Sequence, residues 1–175
     1  MATPTGKKFR VALDFHFVLL LESGVELYEQ VFDELDRRKF EFIVTETPLQ
    51  EIQDLSVKGS RPEFIHLGSR ILQRFQSHYG IKTPGLERLQ HGYADAIAVS
   101  LMEKSFLDDL SKDDALMIAE ASIHNADFLI MADNTHLANV EGHLLNLALV
   151  EKGGNPITIL CAGSVLPIFA RLQEK

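Results

Sequence analysis

Apolar residues along the chain fall into short blocks, and the spacing within each block separates strands from helices. Phe9 to Leu21 is dense in β-branched and aromatic residues, with no Gly or Pro, and reads as a first strand running into a turn. Ser23 followed by Glu26 has the spacing of a capping box, and Val25, Leu27, Val31, Phe32 and Leu35 continue it as the apolar stripe of a helix. "FEFIVTET" alternates like a second strand, and Thr47-Pro48 marks a new helix start, where the missing proline N–H costs nothing. Beyond the loop "SVKGSRP" lie two predicted helices, Pro62 to Tyr79 and Leu86 to Phe106, separated by "GIKTPG". A helix then begins near Ser111, "ADFLIMAD" reads as a strand ending in an acid, and "EGHLLNLALVEKGG" as helix into turn. Pro156 to Cys161 supplies a last strand before the helical "SVLPIFARLQ".

Strands alternating with helices imply a mostly parallel sheet covered on both faces. The expectation is a three-layer α/β/α sandwich forming a single domain over 1–175, with a helical insertion at about 56–110. A chain of 175 residues can bury roughly 70% of its unfolded surface, so a core is available without staples. The one cysteine, Cys161, has no partner for an internal disulfide or a zinc knuckle, which points to a reducing, cytoplasmic setting. The apolar run near the N-terminus is too short for a membrane span and lacks a signal-peptide cleavage site. A net charge of −8 opposes phosphate binding, so any nucleic-acid role needs a local basic rim or bound cations. Lys58, Arg61, Arg70, Arg74 and Lys112 are the candidates for such a rim, set against the plainer reading of scattered surface bases.

Four acids stand at element ends. In open α/β sheets ligands sit beyond the carboxyl ends of the strands. Asp14 falls in or after the first strand and Asp133 after "FLIM", while Glu51 and Asp114 lie near the starts of the helices opened by Thr47-Pro48 and Ser111. Such carboxylates repel, so their proton affinities rise together unless a cation joins them. Mg²⁺ and Mn²⁺, which take hard oxygen ligands, are the natural partners and would let an acidic protein approach a phosphodiester. Each acid also has a plain explanation. Asp114 and Asp113 can favour a helix N-terminus, Glu51 can be a solvated helical acid, and Asp133 with Asn134 suits an Asx-turn. Asp14 is the hardest to explain away, because an unpaired acid in an apolar segment is costly.

In order and character the four acids resemble those of PIN-domain nucleases. The most specific match is "DALMIAEASIHNADFLIMAD", with 19 residues from Asp114 to Asp133. "ITILCAGSVLPIFARL" is similar to that family's closing strand and helix, and the stretch from Ser56 to Leu110 matches poorly. The resemblance implies a parallel-sheet sandwich and a Mg²⁺- or Mn²⁺-dependent ribonuclease with metal held by Asp14, Glu51, Asp114 and Asp133. It also implies a homodimer or an antitoxin-like protein as partners, and single-stranded RNA as substrate. Two positions depart from the pattern: Asp14-Phe15-His16 replaces a polar Asp-Thr-Asn, and Met131 stands where Thr or Ser is common. His16, Asp113 and Asn134 are the candidates to support the acids. His16 points to the Asp14 side if strand alternation holds, and is otherwise a hydrogen-bonded core histidine.

Competing chemistries lack their residues. A phosphatase of the haloacid-dehalogenase type needs an acid where His16 stands, and neither glycine-rich phosphate loop, G-x-S-x-G nor H-E-x-x-H is present. The alternative from another class is a PIN-like scaffold that binds a protein or nucleic acid without cutting it. Ile65, Ile71, Leu72 and Phe75 read as core, or as the dimer face that the resemblance permits.

Overall fold

The computed structural model describes residues 8–107, 110–132, 137 and 140–171. Asp133 and Asn134 lie outside them. Four parallel strands, β1 (Arg10–Leu13), β2 (Glu41–Ile43), β3 (Phe128–Met131) and β4 (Thr158–Cys161), form one sheet in the order β2-β1-β3-β4. Eight α-helices are found among the described residues: α1 (Phe15–Glu22), α2 (Glu26–Arg37), α3 (Glu46–Lys58), α4 (Pro62–Ser77), α5 (Arg88–Met102), α6 (Lys112–Ile123), α7 (Gly142–Glu151) and α8 (Ala162–Arg171).

Strand alternation sends successive side chains to opposite faces, and both faces are buried here. Val11, Leu13, Phe42 and Ile130 enter one core with Phe17, Val31, Ile71, Phe75 and Phe169; Ala12, Ile43, Leu129 and Met131 enter a second with Ile97, Leu101, Ile118 and Leu149. The sandwich expected from the sequence is therefore the observed one. Its middle third is divided between the layers, with α4 feeding the first core and α5 the second. The link between them runs beside β2, where Val44 N–H donates to Lys82 O at 2.9 Å and Lys82 N–H to Phe42 O at 3.0 Å. No helix among the described residues is long and apolar enough to cross a membrane.

The first strand is shorter than its composition suggests. It stops at Leu13, and Phe15 to Glu22 is helical because Asp14 caps it, its Oδ1 accepting the Phe17 N–H at 2.6 Å. A short apolar run fits a buried helix as well as a strand, and the cap decides between them. Ser23 accordingly ends α1, donating its hydroxyl to Leu19 O, and makes no capping box; α2 opens at Glu26 after Val25. Helix α3 begins at Glu46, two residues earlier than Thr47-Pro48 suggests, so Pro48 sits inside the first turn and Glu51 in the second.

Arg70 and Arg74 are not part of a basic rim. Both reach from α4 to Glu22 at the end of α1, Arg70 Nε at 2.5 Å and Arg74 Nη1 at 2.7 Å, and Tyr79 donates its hydroxyl at 2.5 Å. Lys58 is paired with Asp54. The Glu22 side chain is 0% exposed. Burial alone would raise its pKa, but the bonds from Tyr79, Arg74 and Arg70 outweigh that and hold it below the ordinary glutamate value. The stability from this depressed pKa is complete above the ordinary glutamate range and is lost as pH falls through the lowered value. Glu22→Ala should cost about 2–4 kcal/mol in urea denaturation at pH 7, with the deficit shrinking in acid.

Candidate functional site

The chain leaves β1 for β2 on one side and reaches β3 on the other, so the carboxyl end of β1 is where the sheet's connections diverge and where a parallel sheet leaves a crevice. Asp14 stands at that point. Its N–H donates to Ile130 O at 3.1 Å, prolonging the β1–β3 ladder by one residue. Its Oδ1 takes the α1 donor already described, and its Oδ2 accepts the Ala132 N–H at 3.3 Å. The carboxylate thus joins the ends of two strands to the start of a helix, at 6% exposure. Burial raises its pKa to about 6 against the two backbone bonds, with His16 lowering it and Asp114 adding to the rise.

Around it opens a cleft of about 50 Å³ lined by Asp14, Phe15, His16, Thr47, Glu51, Asp113, Asp114 and Met117. Three of the four acids singled out from the sequence are thereby brought together, each from a different element. Asp114 follows the cap of α6, where Ser111 Oγ accepts its N–H at 3.0 Å and donates to its Oδ2 at 2.7 Å. Glu51 projects from α3. Loss of surrounding water raises its pKa first; His16 opposes the rise, and Asp113, Asp14 and Asp114 reinforce it. His16 does face Asp14, though from the first turn of α1 and not by strand alternation. Asp133 and Asn134 fall outside the described residues. Met131 is buried in the second core and offers no polar atom where the resemblance would place a hydroxyl.

Among the described residues the lining holds several carboxylates and, for bases, only the imidazole of His16. Negative charge in excess of its partners, on hard oxygen donors, suits Mg²⁺ or Mn²⁺ held by one or two carboxylates and water. Among the described residues no group of three or more acids, histidines or cysteines is arranged to hold a metal ion. The acid that sequence reasoning passed over is Glu120. It is buried on α6, one helical turn after Met117, and that placement of an acid at an apolar position was its signal. Burial raises its pKa, against two bonds from Thr47.

No known family's sequence profile matches the chain, and no curated protein does. Seven chains of solved structures do. One comes from VapBC2 of Rickettsia felis, solved bound to a DNA fragment from their promoter, with a TM-score of 0.62 at 13% identity. The match covers 87% of this chain and 98% of that one. The fold is PIN-like. At this identity the likeness is one of architecture, and it spans nearly the whole of the matched chain.

The Asp14 shift has a measurable sign. Its folded pKa of about 6 exceeds the ordinary 3.8, so its contribution to stability is complete below about pH 4 and is lost as pH rises through 6. Asp14→Asn should therefore stabilise the protein by roughly 1–3 kcal/mol at pH 8 and by much less at pH 4, read from denaturation midpoints. A loss of stability at pH 8 would contradict this account of the burial.

Proposed function

We propose that this protein is a divalent-metal-dependent nuclease that hydrolyses phosphodiester bonds of single-stranded RNA. The observation that carries this reading is the convergence of Asp14, Glu51 and Asp114, from three elements, in one cleft beyond the sheet with no lysine or arginine among the described residues of its lining. Asp14, Glu51 and Asp114, joined by Asp133, are the proposed ligands of Mg²⁺ or Mn²⁺, which when bound neutralises the acids and lowers the pKa of a bound water. Each Asp14 oxygen accepts one N–H and keeps lone-pair capacity for a further partner. The two backbone bonds hold the carboxylate still, so little reorganisation is needed when a cation enters. His16, at the cleft wall, is placed to steady Asp14 or to meet a phosphate oxygen, and Asp113 and Asn134 are the proposed supports of the remaining acids.

The net charge of −8 fits this mode of binding, since a phosphodiester repelled by the bulk surface is drawn to a cation-loaded cleft. Likeness to VapBC2 supports an antitoxin-type protein, and a second copy of the chain, as further partners. A second reading is a PIN-like scaffold that binds without cutting, favoured by the lack, among the described residues, of a group arranged to hold a metal ion. Titration with Mn²⁺ by calorimetry separates the two, because a scaffold gives no acid-dependent binding. The nuclease reading expects Mn²⁺-dependent cleavage of a labelled single-stranded RNA that falls on the order of a hundredfold or more in Asp14→Asn and in Asp114→Asn, both folded. Cleavage equal to the unsubstituted protein would remove these acids from the chemistry.

A further inference from the structure

Helix α3 begins without a side-chain cap of its own, since Thr45 at the N-cap makes no such bond. The first turn of a helix leaves N–H groups without partners, and one of these, on Thr47, is satisfied from a different helix. Glu120 of α6 accepts the Thr47 N–H with Oε2 at 2.9 Å and the Thr47 hydroxyl with Oε1 at 2.7 Å. This acid is out of keeping with its surroundings: it is 4% exposed, and the positions beside it on α6 are Ala119 and Ala121. A carboxylate there is tolerable only if its oxygens are bonded, and Thr47 bonds both of them. The other acid nearby, Glu46, does not compete for Thr47, because its Oε1 accepts the Leu86 N–H at 2.7 Å and its Oε2 faces His91 at 3.4 Å.

Glu120 does not line the cleft, but Thr47 does. Thr47 precedes Glu51 by one helical turn on the same face of α3, while Asp113 and Asp114 stand at the other end of α6 from Glu120. One planar carboxylate bonded to two groups of a single residue fixes both the position and the rotation of that residue. We propose that Glu120 is a positioning residue of the carboxylate cleft, gripping Thr47 so that the start of α3 is held against α6 and Glu51 stands at a set separation from Asp113 and Asp114. The grip has a second effect. The only proton of the Thr47 hydroxyl goes to Glu120, so towards the cleft its oxygen can only accept a hydrogen bond, as from water or a ligand hydroxyl.

This inference rests on the cleft being the cation site proposed above, and Mn²⁺ alone is the probe. Affinity is measured calorimetrically on the full chain, with the electron paramagnetic resonance spectrum of bound Mn²⁺ as a second readout. Glu120→Ala should weaken binding roughly tenfold or more and broaden the bound spectrum, as loss of an orienting contact does. Glu120→Gln should stay within about threefold of the unsubstituted protein, because its carbonyl can accept the Thr47 N–H while its amide donates to the hydroxyl. Thr47→Val, which loses only the hydroxyl bond, should fall between them and serves in place of Glu120→Ala if that variant does not fold. Equal affinity in Glu120→Ala, or in Thr47→Val as its substitute, overturns the positioning role and leaves the cation site standing. Glu120→Gln as weak as Glu120→Ala also overturns it, since the charge and not the grip would then matter. An unsubstituted protein that binds no Mn²⁺ overturns the cation site itself, and the positioning role with it.

Discussion

A carboxylate stripped of water must be held by something, and in this protein the two strand ends and the helix start at the mouth of the sheet do the holding. Asp14 takes one N–H from α1 and one from the residue after β3, while its own N–H prolongs the strand ladder. Because the same group ends a strand, begins a helix and fixes the end of a neighbouring strand, the local geometry of the cleft follows from it. Its raised proton affinity is the cost of that position. Stability and chemistry pull in opposite directions at this residue: the fold favours the protonated form, whereas cation binding needs the charged one. Such opposition is characteristic of sites kept for what they bind.

The other walls are placed by contacts that are remote in sequence. α3 and α6 carry Glu51 and the Asp113–Asp114 pair, and the bonds between Thr47 and Glu120 tie the two helices together across 73 positions. On the far side of α1, Glu22 gathers Arg70, Arg74 and Tyr79, anchoring α4. Two buried acids therefore tie helix to helix, α1 to α4 and α3 to α6, and neither is among the acids that form the cleft.

Much of this was legible in the order of residues. Alternating strands and helices gave the sandwich, and the block from Asp114 to Met131 carried its helix and strand with Ser111 as the cap, because capping chemistry and apolar periodicity are local. Asp14 was recognisable as an acid out of place in an apolar segment, and Glu51 and Asp114 by their positions near the starts of helices. What escaped turned either on which of two local readings the chain adopts or on distant partners. Phe15 to Glu22 is apolar enough for strand or helix, and only the cap made by Asp14 settles it. Ser23 and Glu26 have the spacing of a box, yet the chain puts that serine at the end of one helix instead of the start of the next. Arg70 and Arg74 read as surface bases because nothing near them in sequence reveals Glu22. Glu120 was hidden in the same way, its partner lying on another helix.

The segment that carries Lys82 alongside β2 makes the two margins of the sheet unequal. On that margin the backbone groups of Phe42 and Val44 already have partners. On the other, among the described residues, β4 pairs only with β3 and its residues are exposed or half-buried. Asp14, at the end of β1, therefore has pairing on both sides of it, and the cleft opens from the interior of the sheet, away from either margin.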